Sequence, residues 1–400
     1  MSRDLVAALS RLLLLSGLLA SSAGHAQSAP SVGTTPFVLD GNRTYARLAF
    51  VRADGSIHDA LAFIDMGSAM STVVVSLRDA LGIDEKQPLA FRVGAMMVHV
   101  PAAAVTIEPD EPYSVGADLK VEAMLAAGLL QKYQVTIDYR RKTLTLAEPG
   151  STTPEGVGVP FRIHEGTGLI AVDAAIDGKS YAVTIDNGSA YTWFRQSVVR
   201  EWLVRHPDWQ RGVGAVGTSN MMMSGDGAEN TGILLRVPKL KVGSVRLGNV
   251  GVFGAAPGKG VGGTLSLFDW YSTKNAVPVI GWIGGNVLKG FKLTIDYPNR
   301  RLYWLKQAAP DLHELDQVGI TLRAHGGEYF ISAIASKNGK PAVAGVFVGD
   351  KLLQVDQLQL QHANWGAIYA ALHGAPGDVR RLLLDRAGRQ VIAQAKVTAF

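Results

Sequence analysis

The sequence reads IDMGSA at residues 64–69 and IDNGSA at residues 185–190, so one phrase occurs twice with a single residue changed. A second phrase also occurs twice, as VTIDY at residues 135–139 and LTIDY at residues 293–297, and it follows the first phrase in both copies. The two aspartates of the first phrase are 121 residues apart, which is too long for a solenoid repeat. The pattern therefore indicates a duplicated domain.

Both copies have similar surroundings. An Asp-Gly pair precedes each Asp-x-Gly-Ser phrase, at residues 54–55 and 177–178, and such a pair between apolar runs predicts a β-hairpin. From its first aspartate to its closing aspartate the second copy is 37 residues longer, mostly around residues 205–230 and 254–278. The halves are therefore expected to share a fold but to differ in their loops.

Two linker-like stretches rich in proline, glycine or small residues, 147–156 and 307–311, divide the chain. They predict a first half at residues 37–148, a second half at 159–306 and a third segment at 312–400.

The repeated phrase contains the residues that a pair of catalytic carboxylates requires. Asp65 and Asp186 each end a predicted buried strand, and the glycine two residues later lets backbone approach closely. The serine that follows is predicted to hydrogen-bond the carboxylate and fix its direction. Two such carboxylates face to face cannot both ionise, so one keeps a proton and the other can act as a base.

These phrases resemble those of retropepsin-like aspartic proteases of the bacterial tandem-repeat kind. The resemblance implies a mainly β fold of two acid-protease barrel halves related by a pseudo-twofold axis, with Asp65 and Asp186 as the catalytic pair. It implies that Asp138 and Asp296 belong to structural strands, and that a hydrophobic-hydrophobic-Gly segment passes beside each catalytic loop. The predicted supporting residues of the active site are Gly67, Ser68, Asn187, Gly188, Ser189 and Gly284.

Three positions depart from the pattern of that family. Met66 and Asn187 stand where the family has threonines that brace the two loops; of the two, only Asn187 can donate a side-chain hydrogen bond. The glycine of the segment at residues 282–284 is replaced in the first half by Ala126, which adds a methyl group where backbone packs tightly. These departures put the geometry of the pair in question.

A glycine-rich stretch at residues 212–217 is followed by Met221, Met222 and Met223. The stretch matches G-x-G-x-x-G, but no strand-then-helix pattern surrounds it, so a dinucleotide site is not predicted. We interpret residues 217–227 as a flap that closes over substrate, with flexible methionines contacting varied side chains. The alternative is a loop whose methionines pack into the core.

Residues 312–400 resemble a bacterial PDZ domain, chiefly in the run Ala344-Gly345 followed by Gly349-Asp350. PDZ domains bind an extended peptide or its C-terminal carboxylate at a sheet edge. The predicted receiving strand is at residues 328–334, which gives Tyr329, Phe330 and Ile331 as peptide-binding residues. The alternative is a structural appendage without a ligand.

Composition restricts the remaining possibilities. Residues 1–26 combine two arginines, an apolar run and small residues, which predicts a cleaved signal peptide and an exported, periplasmic or extracellular protein of a bacterium. There are no cysteines, and the nine histidines show no metal-ligand spacing, so neither a metal nor another cofactor is expected. A net charge of +5 without a basic cluster does not predict nucleic-acid binding, and no integral membrane segment is expected after signal cleavage.

The sequence thus supports an exported aspartic endopeptidase that acts on peptides or proteins, with the third segment docking peptide or regulating access. The alternative is a degenerate protease scaffold whose work is peptide binding by the third segment. Met66 and Ala126 favour that alternative.

Overall fold

The computed structural model describes residues 30–110, 119–214, 230–257 and 266–400. Residues 31–400 form one compact unit that is mainly β. The predicted signal peptide and the predicted flap with Met221, Met222 and Met223 lie outside the described residues.

The first half is a set of hairpins with two short helices. Its strands are β1 (Val32–Asp40), β2 (Arg43–Val51), β3 (Ile57–Asp65), β4 (Ser71–Val74), β5 (Leu89–Val93), β6 (Met96–Val100), β7 (Val105–Glu108), β8 (Val121–Ala126), β9 (Gln134–Asp138) and β10 (Thr143–Ala147). Its helices are α1 (Val75–Leu81) and α2 (Ala127–Leu130), and a short 3-10 turn spans Ala102–Ala104.

The second half has the same plan with one longer hairpin, a longer helix after its Asp motif and one additional helix. Its strands are β11 (Val157–Pro160), β12 (Arg162–Ile163), β13 (Ile170–Ile176), β14 (Lys179–Ile185), β15 (Thr192–Arg195), β16 (Arg211–Val213), β17 (Ile233–Val242), β18 (Val245–Ala255), β19 (Gly281–Ile283), β20 (Phe291–Asp296) and β21 (Arg301–Lys306). Its helices are α3 (Gln196–Arg205), α4 (Leu267–Lys274) and α5 (Gly285–Leu288).

The third segment has a six-stranded sheet, two further pairs of short strands and one helix. Its strands are β22 (Asp316–Gln317), β23 (Ile320–His325), β24 (Glu328–Ile334), β25 (Ser336–Lys337), β26 (Lys340–Pro341), β27 (Lys351–Val355), β28 (Leu358–Gln359), β29 (Val379–Arg386), β30 (Arg389–Lys396) and β31 (Thr398–Ala399). A 3-10 turn spans Leu360–His362, and α6 spans Trp365–Leu372.

The two halves build the same arrangement around their Asp motifs. Both predicted hairpins form, β2 with β3 and β13 with β14. In the first half, β8 lies parallel to β3 and antiparallel to β4, and β4 is parallel to β7. In the second half, β19 lies parallel to β14 and antiparallel to β15, and β15 is parallel to β18. Each Asp motif is thus held between two buried strands of its own half.

The Thr-Ile-Asp-Tyr strands join the halves. β9 and β20 pair antiparallel with Thr136 opposite Thr294, and the two hydroxyl oxygens are 2.9 Å apart. Equivalent residues meet there, so an approximate twofold axis passes between them. The matching contacts on either side are also alike: Phe37 packs edge-on against Tyr139 with ring centroids 5.9 Å apart, and Phe161 against Tyr297 at 6.0 Å.

The observed strands differ from two of the predictions. β1 begins at Val32, five residues before the predicted start of the first half, because it pairs with β10 of the same half. The third segment also continues the sheet of the second half, since Val213 of β16 pairs with Ser336 of β25. The predicted limits are kept below only as names for the three segments.

The predicted receiving strand of the third segment is wrong. The strand that contains Tyr329, Phe330 and Ile331, β24, is paired on both sides, with β23 along its length and with β27 at Phe330. The two outermost strands of that sheet are β23 and β30, so the open edge next to β24 belongs to residues 320–325. Strand order in a sheet is a long-range property that the local sequence pattern does not encode.

Candidate functional site

The two predicted carboxylates meet. Asp65 ends β3, Asp186 follows β14 directly, and each carboxyl lies against the loop that carries the other. The glycines explain how this contact is possible. A Cβ on Gly67 would lie 2.1 Å from Cγ of Asp186, and a Cβ on Gly188 would lie 2.3 Å from Cγ of Asp65. Each carboxyl therefore rests on the bare backbone of the opposite loop, and no other residue type fits there.

Asn187 braces one loop against the other. Its Nδ2 donates to the carbonyl of Ile64 at 2.7 Å, and its Oδ1 accepts from the amide of Met66 at 2.7 Å. The side chain of Met66 makes no hydrogen bond to the second loop, since it is apolar and buried in the core. One residue thus makes both bracing bonds: the single donated bond that the sequence predicted for Asn187, and a second bond that its side-chain oxygen accepts.

The hydrophobic segments beside the loops are equivalent despite their difference in sequence. The amide of Ala126 donates to Oγ of Ser71 at 3.0 Å, and the amide of Gly284 donates to Oγ1 of Thr192 at 3.0 Å. A Cβ on Gly284 would lie 2.1 Å from the carbonyl oxygen of Tyr191, whereas Ala126 carries its methyl group in a fully buried position. Ala126 therefore leaves the contact between the two carboxyls intact.

The serines of the motif act differently from the prediction. Oγ of Ser68 donates to the carbonyl of Met70 at 3.1 Å, and Oγ of Ser189 donates to that of Tyr191 at 2.8 Å. The expected bond from each hydroxyl to its carboxylate is absent, because backbone amides take that place. Oδ1 of Asp65 accepts from the amide of Gly67 at 2.9 Å, and Oδ1 of Asp186 from the amide of Ser189 at 2.8 Å.

The pair is held in a state that favours one proton. Burial raises the pKa of Asp65 to about 6, against the lowering effect of backbone amides and of Arg43. Burial, followed by the charge of Asp65, raises the pKa of Asp186 well above its usual value. Asp186 is 3% exposed and Asp65 is half-buried, so the group that ionises first is also the more accessible one. The sequence predicted this sharing of a proton, although not its asymmetry.

Arg43 belongs to the site, and the sequence analysis missed it. It is 1% exposed, and its Nε donates to the carbonyl of Gly188 at 2.9 Å. Its charge lowers the pKa of both Asp65 and Asp186. The only signal in the sequence is an arginine at the start of the strand that leads into the hairpin, which reads as a surface residue.

Tyr271 was also missed. It lies on α4, in the second of the stretches by which the second half is longer. Burial, followed by the charges of Asp186 and Asp65, raises its pKa well above the usual value for tyrosine. α4 therefore covers a part of the site that the first half does not provide.

Other predicted residues are not part of this site. Tyr329 and Ile331 are buried in the core of the third segment, and Phe330 lies beside Arg323 on the same sheet. Among the described residues, no group of three or more His, Asp or Glu side chains is placed to hold a metal ion. No helix in the described parts of the chain has the length and apolarity needed to cross a membrane.

No protein-family model and no curated protein matches this chain. Among solved structures, the crystal structure of basic 7S globulin from soybean is similar to it, with 11% sequence identity and a TM-score of 0.42. That match covers 70% of this chain and 95% of the globulin chain. At this TM-score the likeness carries no weight for the activity of this chain.

Proposed function

We propose that this protein is an aspartic endopeptidase of the retropepsin-like kind. One observation supports this above all: Asp65 and Asp186, from equivalent loops of two similar halves, each pack against the glycine of the opposite loop, where no side chain would fit. A structural role does not require two acids side by side in a poorly solvated place, because like charges there cost free energy.

In this proposal the two acids divide the work. Asp65 ionises first, so its carboxylate takes a proton from a water molecule while the water oxygen attacks the peptide carbonyl carbon. Asp186 holds the shared proton and donates it to the carbonyl oxygen, which gives a neutral gem-diol. When the C–N bond breaks, the proton on Asp65 passes to the leaving nitrogen and a hydroxyl proton returns to Asp186. No covalent link to the enzyme forms, and no cofactor takes part.

The test is hydrolysis of a mixture of fluorogenic peptides by the mature chain, with and without a statine-type inhibitor. A statine hydroxyl replaces the attacking water between the two carboxyls, so it should bind far more tightly than substrate. The expected result is cleavage that the inhibitor abolishes and that metal chelators do not affect. Cleavage that persists in full with the inhibitor would contradict the proposal, as would peptide binding without cleavage from pH 3 to pH 9.

We also propose that the third segment is a PDZ-like domain that takes an extended peptide on β23. β23 is an outermost strand of its sheet, and PDZ domains bind peptide by adding a strand to such an edge. Fluorescence anisotropy with peptides that end in a free carboxylate or in an amide tests this. Binding that requires the free carboxylate supports capture of C-terminal peptides; no binding of either form favours an appendage.

We further propose that residues 1–26 direct export to the periplasm or beyond. N-terminal sequencing of the protein recovered from a bacterial periplasmic fraction should give a chain that starts near Gln27. A full-length chain in the cytoplasm would contradict it.

A further inference from the structure

Helix α6 of the third segment touches the supports of the candidate active site. A Cβ on Gly41 would lie 1.9 Å from Cδ1 of Trp365, so the indole rests directly on the turn between β1 and β2. The next residue of α6 anchors the same turn, because the amide of Gly366 donates to Oδ1 of Asp40 at 2.9 Å. These contacts place the first turn of α6 at the strand that carries Arg43.

Trp365 also contacts Arg43 itself. The guanidinium carbon of Arg43 lies 5.1 Å from the centroid of the indole ring, within range of a cation–π interaction. On its other side, Nε of Arg43 donates to the carbonyl of Gly188, the glycine on which Asp65 rests. Arg43 thus connects a helix of the third segment to the loop that contains Asp186.

The second turn of α6 reaches the same loop by another route. The hydroxyl oxygens of Tyr369 and Tyr191 are 3.1 Å apart. The carbonyl oxygen of Tyr191 accepts from Oγ of Ser189 and from Nε1 of Trp282. Trp365 and Tyr369 are four residues apart, so they lie on one face of the helix. Both contacts therefore belong to a single docked face.

Arg43 is an unusual residue to keep in such a place. Its two terminal nitrogens are buried and have no hydrogen-bond partner among the described residues. A buried cation that is only partly satisfied costs stability, and an apolar residue of similar size is often tolerated better. The second half has the apolar residue. Ala171 of β13 pairs with Thr184 of β14, and the same register continued by two residues puts Leu169 opposite Asp186. In the first half, Thr44 pairs with Ile64, and the register continued by one residue puts Arg43 opposite Asp65.

We propose that Arg43 is a positioning residue for the Asp65–Asp186 pair and that Trp365 holds it there, so the third segment forms part of the active site's support. Only the kinetic part of the test of this proposal rests on the proposed endopeptidase function. The position of the Arg43 side chain is then set by α6 of the third segment, which lies outside the two halves. A displacement of α6 therefore changes the pKa values of Asp65 and Asp186.

The charges that face Arg43 fix the direction of this effect. Asp40 is on β1, Tyr45 on its own strand, and Asp65 and Asp186 on the two loops. Arg43 is the cation whose charge favours the ionised form of all four. Its removal should therefore raise the pKa at which the pair first ionises and move the acid limb of activity to higher pH.

The experiment titrates the pair without relying on turnover. The full mature chain, labelled with ¹³C at the aspartate carboxyl groups, is titrated by NMR, and the signals of the pair are assigned by their loss in Asp65→Asn. The variants are Arg43→Leu, which copies the residue at position 169, Arg43→Lys, which keeps the charge, and Trp365→Leu, which keeps the arginine in the sequence but removes the indole that it packs against. In parallel, kcat and KM are measured against pH.

The matched control is Phe347→Leu. Arg386 lies 4.3 Å from the ring centroid of Phe347, so this variant removes a cation–π contact within the third segment that does not touch α6 or the loops. Melting temperature and far-UV circular dichroism show that each variant is folded.

The expected result is a first pKa of the pair that rises by about 1 unit in Arg43→Leu and by a smaller, measurable amount in Trp365→Leu. Arg43→Lys should shift it less than Arg43→Leu, and Phe347→Leu should not shift it. The proposal is overturned if folded Trp365→Leu titrates like Phe347→Leu. If the wild-type chain cleaves no peptide, the endopeptidase proposal fails, and the NMR comparison still decides the role of Trp365.

Discussion

The two Asp loops have the same backbone plan but differ in what surrounds their aspartates. Asp65 is half-buried and lies beside strands that carry Arg43 and Ala126, whereas Asp186 is almost fully buried. The second loop supplies both bracing bonds through Asn187, and the first supplies none through its Met66 side chain. The duplication thus fixes where the two carboxyls meet, and the later differences decide which of them ionises first.

The largest effect is expected from removing one of the carboxylates. Asp186→Asn or Asp65→Asn should lower kcat/KM for a peptide by about 10³-fold or more, because either the general acid or the base is lost. The control is Asp138→Asn, which alters the closing strand of the first half. Oδ1 of Asp138 accepts from the amide of Arg141, a turn contact away from the loops. Activity of Asp186→Asn within tenfold of wild type would refute the shared role.

The glycines under the carboxyls test the contact between the loops. Gly67→Ala and Gly188→Ala each place a methyl group against the opposite carboxyl, so we expect kcat to fall by about 10²-fold. Ala126→Gly is the counterpart, since it gives the first half the glycine of the second, and it should change kcat by less than about threefold. Steady-state kinetics on the three purified variants measures this. Equal effects in all three would mean that the loops are not in close contact.

The two hydrogen bonds by which Asn187 braces the loops should contribute measurably to the free energy of unfolding. Asn187→Ala removes both bonds between the loops and leaves the buried amide of Met66 and carbonyl of Ile64 unpaired, which should cost about 2 kcal/mol of unfolding free energy. Met66→Leu keeps the packing of the first loop and should cost less than about 1.5 kcal/mol. Urea unfolding monitored by tryptophan fluorescence compares them. A larger loss in Met66→Leu than in Asn187→Ala would reverse the assignment of the brace.

The smallest effect is a gain in stability from an inactivating change. The pKa of Asp65 rises from 3.8 to about 6 on folding, so between these values the native chain binds more protons than the unfolded chain. The contribution of Asp65 to the free energy of unfolding is therefore greatest below pH 3.8, and it is lost as the pH rises through about 6. At pH 7.5, Asp65→Asn should therefore be more stable than wild type by about 1–3 kcal/mol.

An exposed aspartate gives the opposite sign and serves as the control. Hydrogen bonds from Ser56 lower the pKa of Asp54, so Asp54→Asn should lose stability at pH 7.5. Thermal unfolding at pH 4 and pH 7.5 measures both variants. A loss of stability in Asp65→Asn at pH 7.5 would show that the ionised carboxylate of Asp65 does not destabilise the folded chain.

Much of the site was predictable because it repeats. The duplicated phrases indicated the two hairpins, the meeting of Asp65 with Asp186, and the closing strands on which Thr136 and Thr294 meet. Periodicity and turn residues are local signals, and in a duplicated domain each signal occurs twice in the sequence, which strengthens the prediction. The structural role of Asp138 and Asp296 followed as well, since both accept turn amides at the ends of their strands.

The rest depended on contacts between distant parts of the chain. The contacts of Arg43 are with Gly188 and with Trp365, which lie 145 and more than 300 residues later in the sequence. The bonds of the motif serines could not be predicted, because the choice between a carboxylate and a carbonyl two residues on depends on which backbone amides already bind the carboxylate. The edge strand of the third segment was misplaced for the same reason, since strand order is set by long-range pairing.

A titration of the wild-type carboxyl groups tests most directly whether the two acids share a proton. In ¹³C NMR spectra of the mature chain, the signals that vanish in Asp65→Asn and Asp186→Asn should titrate together, with one step near pH 6 and a second, separate step at higher pH. Two independent steps near pH 4 would mean that the carboxyls ionise as ordinary surface acids, and neither could then hold a proton for catalysis at neutral pH.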